Sequence, residues 1–87
     1  ANRLIAYMGS SLFKNFPGRI NGYQVIKVGS DGKKEAKFNY GDVFQPETQR
    51  LIGSLKQGDI IMFDNINISM SDGTTRPANP MTFKIVE

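Results

Sequence analysis

Ser-Asp-Gly occurs twice, at Ser30-Asp31-Gly32 after "YQVIKV" and at Ser71-Asp72-Gly73 after "NINISM". Asp-Gly between two apolar, β-favouring runs is a strong hairpin signal, because glycine takes a positive φ without a Cβ clash. Two such turns commit much of the chain to antiparallel strands. The rival reading is a ligand loop. A calcium loop of the EF-hand kind needs an alternating series of acidic or amide ligands with a closing Glu. The chain instead runs "GKKEAKFNYGD" after Asp31 and "GTTRPANPMTF" after Asp72, and both stretches soon turn basic or apolar. A phosphate-cradling loop would need a longer glycine-rich pattern ending in Gly-Lys-Ser/Thr before a helix. Here a strand pattern follows Gly32-Lys33. Both copies therefore read as metal-free turns.

Around these turns the residues sort into elements. "RLIAYM" (3–8) is short, apolar and β-compatible, whereas "GSSLFKNFPGRING" (9–22) has neither period and reads as a long loop. "YQVIKV" (23–28) and "KKEAKF" (33–38) form the strands of the first hairpin. "DIIMF" (59–63) is apolar on both faces, like a central strand, and "NINISM" (65–70) and "MTFKIV" (81–86) alternate apolar with polar. Between them, Pro46 suits a first helical position and Glu47 the positive end of a helix dipole. Leu51, Ile52 and Leu55 share one face, Gly53 weakens the interior, and Gly58 suits the left-handed residue that closes a helix. These signals predict one short amphipathic helix over about 46–56. The expected fold class is mainly β: a small antiparallel Ig-like β-sandwich with that single helix, occupying 1–87 as one domain.

Composition narrows the chemistry. The chain of 87 residues has no His and no Cys. It thus lacks the usual ligands for zinc, iron and copper, the commonest general base and the thiol nucleophile. No Ser sits in a nucleophile-elbow pattern, and the carboxylates fall mostly in turns. Asp64, Asn65 and Asn67 offer oxygen atoms, but Asp64 and Asn65 point to opposite sides of a strand and read as a solvated face. No catalytic, cofactor-binding or metal-binding residue is expected, no cofactor, and no enzyme. The net charge of +3 is spread along the chain. Its densest cluster, Lys33, Lys34 and Lys37, reads as edge-strand protection rather than a nucleic-acid footprint. No stretch is apolar for the ~18 residues of a membrane span. The chain opens on Ala1 rather than Met and is expected to be a piece of a longer protein, with any targeting segment upstream.

Partner-binding candidates lie in the irregular stretch before the first hairpin. Phe13 and Phe16, with Arg19 beside them, are of the kinds enriched at interface hot spots. The competing readings are a lid over an open end of the sandwich, or a strand containing Leu12 and Phe13.

The order of features from residue 22 to 86 resembles the C-terminal periplasmic domain of the GldM/PorM family. Gly41 and Phe44 precede a short helix carrying Leu51 and Leu55. Lys56, Gly58 and Asp59 form a Lys-x-Gly-Asp turn into the strand with Phe63, Asn65 and Ile66 begin an "Asn-Ile" strand, and an Asp72-Gly73 turn follows. Arg76 and a closing Phe83-Lys84-Ile85 complete the pattern. Members of that family serve gliding motility and type IX secretion, a protein-transport machinery. They are anchored in the inner membrane by one N-terminal helix, cross the periplasm as dimers of stacked domains, and meet a ring of partners near the outer membrane. The resemblance implies a periplasmic, non-catalytic structural and protein-interaction module. Its partners would be other subunits of a secretion or motility complex and a second copy of the chain, with no small-molecule substrate and no nucleic acid. It would meet a membrane only through an upstream segment. Two other classes stay open. A small β-barrel binding nucleic acid would need aromatics interleaved with basic residues on one sheet face, for which "KFNY" (37–40) is the best stretch. A carbohydrate- or surface-adhesion sandwich would need Tyr23 or Tyr40 exposed as a stacking platform.

Overall fold

In the computed structural model, which describes residues 16–86, each Ser-Asp-Gly is the whole loop of a three-residue hairpin. The Gly29 N–H donates to the Lys33 carbonyl at 2.8 Å and the Gly32 N–H to the Gly29 carbonyl at 2.9 Å. The second copy repeats this with Met70 to Thr74 at 2.8 Å and Gly73 to Met70 at 3.1 Å. The last residue of each loop is left-handed, with φ 87° at both Gly32 and Gly73. Each aspartate then accepts the N–H two residues on, Asp31 from Lys33 and Asp72 from Thr74, both at 3.0 Å. This is a type I turn closed by a left-handed glycine, and its side-chain contacts consume the carboxylates locally.

The described residues form one five-stranded antiparallel sheet with one helix. The strands are β1 (Arg19–Val28), β2 (Lys34–Tyr40), β3 (Ile60–Ser69), β4 (Thr75–Ala78) and β5 (Met81–Lys84). Their order is β2-β1-β3-β4, with β5 also on β3. The second sheet that a sandwich requires is not among the described residues. The expected strand at 3–8 lies outside them.

Three sequence expectations need correction. Arg19–Gly22, read as loop, is the start of β1. The stretches 59–63 and 65–70, read as two strands, are one strand, β3, over Ile60–Ser69. Their apparent break is a bulge at Asn65, which takes φ 51°, a conformation asparagine tolerates better than most residues. A matching bulge at Asn21 in β1 restores the register, so that Ile20 pairs with Ile68 on one side and Gln24 with Asp64 on the other. Each extra residue flips the side-chain phase of its strand, which is why buried Val25 and Tyr23 give way to Ile20, and Phe63 to Ile66. The edge beyond β3 breaks at the same level. β4 pairs with Ile66–Ser69, β5 pairs with Ile60–Phe63, and Asn79-Pro80 spans the gap opposite the bulge. No sequence signal marked β4 as a strand; at a sheet edge the missing N–H of its Pro77 costs nothing.

The helix α1 (Pro46–Gly53) is shorter than expected and ends at its glycine. Gly58 is left-handed, φ 91°, but closes the turn before β3 rather than the helix. A fully buried Asn39 on β2 seats α1. Its Oδ1 accepts from the Gln45 N–H at 2.8 Å and the Thr48 hydroxyl at 2.7 Å, and its Nδ2 donates to the carbonyls of Val43 at 3.0 Å and Gly41 at 3.2 Å. At the other end, Lys27 Nζ donates to Ser54 Oγ at 2.9 Å, placing a cation at the negative end of the helix. Leu51 and Ile52 are buried against the sheet; Leu55, expected to join them, is half-buried against the same core. At the centre, Phe63 meets Tyr23 edge-on at 5.7 Å, Phe83 edge-on at 6.2 Å, and Phe44 stacked at 6.4 Å.

Two measurements check this architecture. Ile52→Ala, at a residue with 0% exposure, should lower unfolding stability by about 2–5 kcal/mol; a urea midpoint equal to the parent's would show that α1 does not seal the core. Millimolar calcium should leave the melting temperature unchanged, whereas a ligand specific for the native state at a hundred times its dissociation constant would add about 2.7 kcal/mol.

Candidate interaction face

Strict alternation gives the sheet two unlike faces. One carries the core and α1. The other can be read off the register as rows across β2, β1, β3 and β5. Lys34, Val28, Ile60 and Lys84 form one row, and Ala36, Ile26, Met62 and Thr82 the next. Then come Phe38, Gln24 and Asp64, and finally Tyr40, Gly22 and Asn67. Among the described elements, α1 packs on β1 and β2 from the core side, and none lies over these rows. Ile26, Val28, Ile60 and Met62 are half-buried. The face is apolar at the Ser30 end and polar beyond the bulges, where Asn21, Asn67 and Ser69 replace aliphatic side chains.

Alternation also decides two sequence readings. Within "KFNY", Lys37 and Asn39 project to the core side while Phe38 and Tyr40 project to the open side, so this stretch does not interleave bases and aromatics on one face. Tyr23 is fully buried and provides no platform, whereas Tyr40 is 71% exposed. Burial, with the Asp42 charge adding to it, pushes the Tyr23 hydroxyl well above the usual tyrosine range.

Of the partner-binding candidates, Phe13 lies outside the described residues. Phe16 is half-buried and packs against the core, and Arg19 is exposed at the start of β1. Phe16 borders a shallow depression shared with Met70, Arg76 and Pro77, and Arg19 lies beside Ser69 at another. Those two depressions share Pro17 and Met70.

A second cluster gathers at the apex of the first hairpin, where Lys27, Lys33 and Lys56 surround Asp31, Glu35 and Asp59. Its organiser is Asp59, which is buried. Its carboxylate accepts from the Lys56 N–H at 2.9 Å and the Ser30 N–H at 3.1 Å, while its backbone N–H donates to the Lys56 carbonyl at 3.0 Å and its carbonyl accepts from the Ile85 N–H at 2.8 Å. One residue thereby ties the hairpin loop, the α1–β3 connection and the segment after β5. Among the described residues, no group of three or more His, Cys, Asp or Glu is placed to hold a metal ion. Also among them, no helix is long and apolar enough to cross a membrane.

The backbone donors hold the Asp59 carboxyl below its ordinary value of 3.8, the Lys56 N–H first, with the charges of Lys27 and Lys56 adding to them. A depressed folded-state value contributes stability above the unfolded-state value and loses it as the pH falls through the lower folded one. Asp59→Asn should therefore flatten the acid limb of the stability curve below pH about 4 while lowering stability at neutral pH. Parallel acid limbs in parent and variant would show that this carboxylate does not latch the apex.

Compared with known proteins, the chain matches no family model and no curated protein.

Proposed function

We propose that this domain is a non-catalytic structural and protein-interaction module of a gliding-motility or type IX secretion complex. In this reading it resembles the distal periplasmic domain of GldM-like proteins. The observation that supports the reading is the apolar half of the open sheet face. Sheets bury an apolar face against a second layer, and the described residues supply that layer only on the α1 side. Ile26, Val28, Ile60 and Met62 form a patch at the sheet centre, rimmed by Lys34 and Lys84. Apolar centre and charged rim are the ordinary anatomy of a protein interface. The partner is a protein subunit of the same machinery, and the parent protein brings the domain to the periplasm through a segment outside this chain.

The test places a charge in the patch centre. Met62→Lys in the full-length protein should abolish site-specific cross-linking to the secretion-machinery subunits and stop secretion. The isolated domain should keep its β-sheet spectrum and lose no more than a few degrees of melting temperature. A variant that is cross-linked and secretes like the parent removes the patch as the interface.

A further inference from the structure

We propose that the polar half of the open face binds a neutral saccharide, with Phe38 and Tyr40 as the stacking corner and Asn67, Asn21 and Gln24 as hydroxyl partners. The corner is built rather than incidental. The rings of Phe38 and Tyr40 meet edge to face at 4.7 Å and 67°, and both remain exposed, at 49% and 71%. Phe38 keeps its place because β1 has glycine beneath it. A Cβ at Gly22 would stand 2.7 Å from Phe38 Cζ and 2.9 Å from Cε2. The one position without a side chain thus lets an aromatic ring lie across the strand with its outer face to solvent.

Opposite the rings stands a row of fixed amides. Asn21, the bulged residue, donates through Nδ2 to Asn67 Oδ1 at 2.6 Å and to Ser69 Oγ at 2.7 Å, and Ser69 Oγ donates to Asn21 Oδ1 at 3.0 Å. Asn65 Nδ2 donates to Gln24 Oε1 at 3.3 Å. These bonds hold the amides in place and leave the Asn67 Nδ2 group and the Tyr40 hydroxyl facing solvent. Tyr40, Gly22 and Asn67 lie in one row, so Tyr40 and the amide wall are two strand spacings apart, about 10 Å, with the Phe38 ring lying over Gly22 as the floor between them. Such a floor accepts a flat ring with an apolar C–H face against Phe38 and hydroxyls toward the amides, which is the surface chemistry of a pyranose.

The charges favour a neutral sugar over a nucleic acid. The carboxylate of Asp64 shares the row of Phe38. The cations of this face are few: Lys34 lies four residues from Phe38 along β2, and Arg19 borders the amide side, beside Ser69. A single-stranded nucleic acid would stack on the same rings, but its phosphates need a basic track beside them, and a single arginine among amides and an acid does not make one.

A glycan array probed with the purified chain, followed by 15N-shift titration of the best neutral oligosaccharide, tests the site. The expected result is binding to at least one neutral hexose-containing glycan, with shifts confined to residues 21–24, 38–40 and 64–69. Tyr40→Ala should weaken binding by up to about tenfold, as loss of one stacking ring does, and Asn67→Ala should weaken it as well. Both variants should melt like the parent, since both side chains are exposed. Absence of binding to every neutral glycan overturns the proposal. Affinity indifferent to both substitutions overturns it too, as does salt-dependent binding of oligo-dT at these residues in place of sugar.

Discussion

The side chain of Asn39 is the constraint on which the layout of this domain rests. An asparagine amide offers two donors and a carbonyl oxygen with two lone pairs, and all four are used inside the protein. Buried without those partners, it would carry a penalty of about 1–3 kcal/mol. The loop after β2 therefore has one arrangement that satisfies it, and that arrangement brings Gln45 and Thr48 down onto the sheet. An eight-residue helix is too short to persist by itself. Pinned at its start by Asn39 and at its end by Lys27 and Ser54, it delivers Leu51 and Ile52 to the Phe63 cluster.

Among the described residues, covering one face leaves the other open, and the two bulges then divide that open face. Each inserted residue moves its strand's alternation by one place. Because β1 and β3 are shifted together, the core side stays apolar throughout, from Val25 and Phe63 to Ile20 and Ile68. The open side meanwhile changes from Ile26 and Met62 to Gly22 and Asn67 across the same discontinuity. An apolar half and an amide-and-aromatic half on one surface suit two different kinds of contact. The first fits a protein layer and the second fits a hydroxylated ring.

Much of the fold could be read from local chemistry. The Asp-Gly turns depend only on glycine's freedom at positive φ and the reach of a short carboxylate, so they were legible without any tertiary information. So was the helix, from Pro46, Glu47 and the spacing of Leu51 and Ile52. Asn65 shows where such reading fails. Alternation before it and alternation after it are out of phase, which in a one-dimensional pattern is indistinguishable from the end of one strand and the start of another. Whether Pro77 can sit in a strand is likewise not a local property, since it depends on whether that strand has a neighbour on the far side.

The candidate site was legible only in part. Tyr23 and Tyr40 were equal candidates for a platform, and nothing local says that Tyr23 is buried and Tyr40 exposed; that follows from which side of the sheet α1 covers. The sequence by itself determined the antiparallel hairpins, the helix after Pro46 and the absence of histidine and cysteine chemistry, because these depend on residue types and near neighbours. Only the tertiary structure decided that Asn39 seats the helix, that Asp59 ties three segments, and that Gly22 makes room for Phe38. The last two depend on residues far apart along the chain meeting at hydrogen-bonding or van der Waals distance, and the Asn39 bonds, though local, form only where the chain folds back over a buried amide; no periodicity in the sequence records such meetings.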